Sequence, residues 1–155
     1  LTEVMSKSIP VLIPSEIHSI VDKQYTQVHQ LLGKRLALMF GYLIAQSAKS
    51  AVFSAFFRKN LLELGENPDL LEVEEDELLV ILFGSKIATE GGKIPDELYD
   101  ALTQRYSQEQ VILLVSFATQ LVAATMFNAT LEVQVEASLQ PYVLPEAFRT
   151  ELCLV

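Results

Sequence analysis

One cysteine, no tryptophan and two histidines are found among 155 residues. The lone Cys153 cannot close an intrachain disulfide, and no dithiol pair or multi-cysteine metal cluster can be built from it. Basic residues are also scarce: 11 against 20 acidic ones, for a net charge of −9 and a pI near 4.6. Only Lys34-Arg35 and Arg58-Lys59 are adjacent basic pairs, so no stripe is available to neutralise phosphates. Nucleic acid and anionic membrane surfaces are therefore excluded as expected partners. Alternating apolar and polar runs flanked by hairpin turns are absent too, which leaves an all-α class. The N-terminal stretch lacks a basic region followed by an apolar core and a small-residue cleavage site. No signal peptide is expected, and a cytoplasmic location is.

Apolar residues are abundant. They make up 50% of the chain, and the mean hydropathy is +0.31. A domain of this length struggles to hide so much apolar surface alone, which predicts a homo-oligomer. Two stretches approach the length of a membrane span. Residues 111–127 carry no charge but hold Ser116, Thr119, Gln120 and Thr125; residues 36–57 are interrupted by Gln46, Ser47, Lys49 and Ser50. A span needs about 20 mostly apolar residues, so both read as buried helices, with no membrane role.

Residues 1–14 read as an extended N-terminal arm, with Pro10 and Pro14 bracketing VLI. Residues 15–155 read as one all-helical domain of six or seven helices. Ser15 is the expected N-cap of an amphipathic helix over 16–32 that Gly33 ends. Helices are predicted over about 34–49 and 51–64, with Gly65 at the position after the C-cap and ENPD as the turn. Glu72, Glu74, Glu75, Asp76 and Glu77 mark the start of the next helix, where acids complement the helix dipole. Gly91-Gly92 end it. Pro95 is expected at the first position of a short helix reaching Tyr106. Ser107 to Gln110 form a capping-box pattern opening the long apolar helix. Pro141 and Pro145 punctuate the tail, and EAFRTELCL is a candidate last helix. Residues 36–57 and 111–131 are both apolar and rich in small residues, suited to packing on each other.

Few side chains carry chemistry. His18, Asp22, Tyr25 and His29 share one helix face, but the histidines lie about 16 Å apart along the axis, too far for one metal. A polar flank or an oligomer contact is the expected role, and no metal or other cofactor is expected. Ser54 has no GxSxG context, so it reads as a packing serine. Tyr42, Gln46, Ser50 and Asn128 are polar residues within apolar helices, which either line a cavity or bond one another. Arg58, after two phenylalanines, is a candidate anion contact. The candidate pocket is thus Tyr42, Gln46, Ser50, Ser54, Arg58 and Asn128.

The run RLALMFGYLIAQSAKSAVFSAFFRKNLLELGENPDLL, followed by ELLVILFGSKIATEGGKIPDELYDALTQRYSQEQVILLVSFATQLVAATMFNATLEV, resembles the alkylhydroperoxidase-D-like, or carboxymuconolactone decarboxylase, superfamily. The resemblance covers residues 34–131. Redox-active relatives carry a CxxC followed by a histidine at the start of a helix. Here Ala51 and Ser54 stand at the two cysteine positions, Arg58 at the histidine position and Met39 near the relatives' glutamate. Disulfide exchange needs a thiolate and a resolving thiol. The resemblance therefore implies the scaffold without the peroxidase or disulfide-reductase activity. It implies a dimer, trimer or hexamer that is structural or binds a small molecule, with a small organic acid as the candidate ligand. The alternatives are a decarboxylase- or isomerase-type enzyme acting on a small acidic ring substrate through non-thiol acid-base residues, and a partner-binding module.

Overall fold

The computed structural model describes residues 16–145. Six α-helices and one 3₁₀ segment make up the order: α1 Glu16–Leu32, α2 Lys34–Ser47, α3 Ala51–Glu63, α4 Glu75–Thr89, α5 Asp96–Arg105, α6 Gln108–Thr130, then the 3₁₀ turn Ala137–Tyr142. No strand occurs among the described residues. The expected arm, the Ser15 cap, the last helix and Cys153 lie outside them.

Helix boundaries follow local chemistry. Gly33, at φ +82°, takes the left-handed turn that separates α1 from α2. The Ser107 hydroxyl accepts from the Gln110 backbone N–H while the Gln110 side chain accepts from the Ser107 backbone, closing the expected capping box of α6. Glu74 and Glu77 make the equivalent reciprocal pair at α4. The acidic run is thus a helix start that is also tied by ion pairs: Arg35 reaches Glu66 and Glu77, and Arg105 reaches Asp76. Pro95 stands one place before α5 rather than inside it. The 3₁₀ turn was not expected, because Pro141 lies within it and no helical periodicity announces it.

α2 is the axis of the fold. Every residue from Ala37 to Gln46 is buried, and α2 packs on α1, α3, α4 and α6. An all-round apolar helix needs neighbours on all sides. Two glycines set the closest approaches. A Cβ on Gly41 would lie 2.3 Å from the Phe57 ring of α3, and one on Gly84 of α4 would lie 2.5 Å from the Phe40 ring. The small-residue contacts of α2 thus join it to α3 and α4. α6 also touches α2, but its most extensive neighbour is α1. α6 is the one described helix long and apolar enough to cross a membrane, and it is packed here against α1, α2 and α4. The 3₁₀ turn lies on α3.

Candidate functional site

Four helices of this fold end in the same backbone motif, and the exceptions to its usual chemistry meet at one place. At the ends of α3 and α4 the residue after the C-cap is glycine, Gly65 and Gly91, both with positive φ. In each, the next N–H closes back on the last turn, from Glu66 to Leu61 O and from Gly92 to Ile87 O. At the ends of α2 and α6 the same hydrogen bonds form, from Ser50 N to Ala45 O and from Val133 N to Asn128 O, both 2.9 Å. There the left-handed residue is Lys49 (φ 60°) or Glu132 (φ 52°) instead of glycine. These are the two non-glycine residues with positive φ among those described. A Cβ in this region costs about 1–2 kcal/mol.

Lys49 and Glu132 line the same cavity, of about 180 Å³, with Ser50, Ala51, Thr125 and Asn128. The N-terminus of α3 forms one wall. The Ser50 hydroxyl caps it by accepting from Phe53 N at 3.1 Å, and Ser54 N bonds to Ser50 O. The amides of Ala51 and Val52 precede the first intrahelical hydrogen bonds and carry the positive end of the dipole. Asn128 faces this wall from α6. It is buried, its Oδ1 accepts from His18 Nε2 at 2.8 Å, and its Nδ2 has no partner among the described residues. A buried amide donor without an acceptor costs about 1–3 kcal/mol. Thr125 offers nothing comparable, since its hydroxyl is donated to Leu121 O at 2.8 Å.

The six residues expected to form one pocket do not meet in one place. Ser50 and Asn128 line the cavity. Tyr42, Gln46 and Arg58 form a separate polar chain beneath α3: Gln46 Nε2 donates to Tyr42 Oη at 2.8 Å, and Arg58 Nη1 approaches the same oxygen at 3.4 Å. Arg58 also holds Asp69 through two hydrogen bonds of 2.7 and 2.8 Å. That contact raises the Arg58 pKa further above its ordinary value and holds Asp69 below the usual aspartate range. The anion that Arg58 meets is therefore the chain's own, and Arg58 lines none of the described cavities. Ser54 is buried in the packed face of α3 and its hydroxyl has no partner among the described residues.

The α1 face also divides. His18 joins α1 to α6 through Asn128, with its ring edge-on to Phe127 at 5.6 Å. Tyr25 contacts Phe57 at 5.9 Å, Phe117 at 6.0 Å and His29 at 6.2 Å, an aromatic cluster rather than a polar flank. Burial raises the Tyr25 pKa. Among the described residues no three His, Asp or Glu side chains are grouped to hold a metal ion. Lys49 and Glu132 do not stand out in the sequence. The signal that marks them is a helix end, shown by loss of apolar periodicity, where no glycine follows.

No family model, curated protein or solved structure matches this chain.

Proposed function

We propose that this chain is a thiol-free relative of the alkylhydroperoxidase-D-like proteins that assembles as a homo-oligomer and binds a small organic acid. The ligand site on this reading is the cavity between the start of α3 and the end of α6. The observation that carries it is Asn128, buried and with no partner for its Nδ2 among the described residues, lining the same cavity as Lys49 and the α3 N-terminus. A carboxylate there would accept from Asn128, lie at the positive end of a helix and face an ammonium group. Arg58 takes no part.

Glu132 narrows the class. It lines the same cavity, at the C-terminal end of α6, where the helix dipole is negative. Its carboxylate and the dipole repel a second acidic group and favour a donor. The best fit is a small monocarboxylic acid bearing a hydroxyl or ammonium group, such as a 2-hydroxy or 2-amino acid. About 180 Å³ admits a compact acid. Lys49 and Glu132 are the titratable residues lining the cavity, so they are the acid-base pair that a decarboxylase or isomerase reading would have to use.

Asn128→Asp tests the site. It keeps an oxygen for His18 and replaces the free donor with an acceptor. Thermal shift with lactate, glycine, propionate and succinate should show stabilisation of the wild type by the first two, lost in Asn128→Asp. Equal shifts in both proteins, or none with any acid, would overturn the reading. Consumption of a bound acid by the wild type would move it to the enzyme alternative.

A further inference from the structure

A second cavity, of about 290 Å³, lies on the other side of Val52. Its walls are aromatic. Phe53, Phe56 and Phe57 come from two successive turns of α3, and Tyr25 faces them from α1. Phe57 stands edge-on to Phe56 at 5.2 Å and to Tyr25 at 5.9 Å, so the rings meet at steep angles like the sides of a box. Phe56 is 39% exposed, unusual for so apolar a ring.

The charged groups in this cavity are both negative. Asp22 lies one turn before Tyr25 on α1, and Glu136 leads into the 3₁₀ turn that packs on α3. No lysine, arginine or histidine is among the described lining residues. Asp22 forms no ion pair with another described residue, and its backbone carbonyl, not its carboxylate, accepts the hydrogen bond from Thr26 Oγ1. Among the described residues the Glu136 carboxylate accepts a local hydrogen bond from the Ser138 hydroxyl. Tyr25 is a neutral phenol, with its pKa raised further by burial, and adds no third negative charge.

Aromatic faces carry negative potential and attract cations lying within about 6 Å of the ring centre. Two uncompensated carboxylates at the same cavity add to that potential, and the net charge of −9 steers cations toward it. A neutral apolar ligand would gain nothing from the two negative charges, and an anionic one would be repelled. We infer that this cavity is a second ligand site, distinct from the acid site, for a small organic cation: an aromatic or compact aliphatic amine or quaternary ammonium. The ammonium group lies between Asp22 and Glu136, and its apolar substituents lie against Phe53, Phe56 and Phe57. The volume stands at the lower edge of the range of about 300–1,000 Å³ usual for small-molecule sites, which limits the ligand to one ring or its equivalent.

The test compares two probes of nearly the same shape, 3-hydroxyphenyltrimethylammonium and 3-tert-butylphenol, which differ in one charged nitrogen against one carbon. Binding to the whole protein is measured by calorimetry. The cation should bind about tenfold more tightly than its neutral counterpart. That preference should fall to near unity in the Asp22→Asn, Glu136→Gln double variant and should shrink with added salt. Phe56→Leu should weaken the cation severalfold, and Asn128→Asp should leave it unchanged. Asp22, Glu136 and Phe56 are exposed positions, and circular dichroism verifies the folding of every variant. Equal affinity for the two probes, a preference that survives loss of both carboxylates, or no binding of the cation at about 1 mM would each overturn the assignment.

Discussion

Arg58 and Asp69 meet fork to fork, with Nη1 on Oδ1 at 2.7 Å and Nη2 on Oδ2 at 2.8 Å. The pair ties the middle of α3 to the loop before α4, and its arginine reaches on to the buried Tyr42 hydroxyl. Because the Asp69 carboxylate is 58% exposed, solvent screens the pair, and its contribution is about 1 kcal/mol.

Arg58→Gln should therefore lower stability by about 1 kcal/mol without changing acid binding. The sign of the pH dependence follows from Asp69. Its pKa is held below the ordinary 3.8 by the hydrogen bond to Arg58, so the stabilisation is present above that value. It is lost as the pH falls through the lowered pKa. Urea unfolding of both proteins from pH 7 downward should show a gap that closes only at strongly acid pH. A gap that is constant down to pH 2 would contradict the assignment.

Gly41→Ala tests the α2–α3 approach. Alanine favours a helix interior over glycine by about 1 kcal/mol. Here the new methyl would lie 2.3 Å from the Phe57 ring, which is itself buried and cannot swing away. Overpacking of this kind costs about 1–3 kcal/mol and outweighs the propensity gain. Net destabilisation of about 1 kcal/mol is expected in chemical unfolding. Gly41→Ala combined with Phe57→Leu should recover part of it, a coupling that two independent losses would not show.

Helix positions were legible in the sequence wherever a local rule dictated them. Gly33 and the Ser107 to Gln110 box placed the start of α2 and of α6, and the apolar periodicity of residues 16–32 placed α1. The partners of polar residues were not legible, because they are separated in sequence. His18 and Asn128 are 110 positions apart, and Arg58 finds Asp69 across a loop. A lone arginine beside phenylalanines therefore looked like a ligand contact. Ser50 and Asn128 were recognised as polar residues in apolar helices, but their common cavity depends on how the ends of α2 and α6 turn. That turn uses Lys49 and Glu132, where a glycine would have given the sign.

Lys49→Gly should separate stability from binding. The left-handed backbone at position 49 is costly for lysine and free for glycine, so the variant should be more stable by about 1 kcal/mol. The same change removes the ammonium group from the acid site, and affinity for a 2-hydroxy acid should fall about tenfold. Glu132→Gly should share the gain in stability. A Lys49→Gly protein that binds the acid as well as the wild type would remove Lys49 from the site.

Ser54→Ala should leave stability unchanged or raise it by up to about 1 kcal/mol. The hydroxyl is buried without a partner among the described residues, so its removal deletes a desolvated group and no hydrogen bond to them. The reading of residues 50–58 as a thiol site without thiols predicts the functional counterpart. Peroxide consumption with a dithiol reductant should match buffer for the wild type, and for Cys153→Ser equally. Turnover that disappears in Cys153→Ser would refute it.

The outer face of α6 carries an apolar stripe. Ile112 and Met126 are 59% and 66% exposed, the most exposed large apolar side chains described. They are fourteen residues apart, close to four helical turns, and the exposed Thr119 lies midway, so all three follow one stripe. A seven-residue spacing along an exposed, otherwise apolar helix suits packing against a second copy of the same helix. In a monomer this stripe faces water; in a homo-oligomer it is buried, consistent with the 50% apolar composition. Ile112→Lys with Met126→Lys places two charges on the stripe without touching the core. Light scattering at micromolar concentration should give an oligomer for the wild type and a monomer, still helical by circular dichroism, for the double variant. A wild type that is monomeric would overturn the assembly. An oligomer that survives both lysines would move its interface elsewhere on the surface.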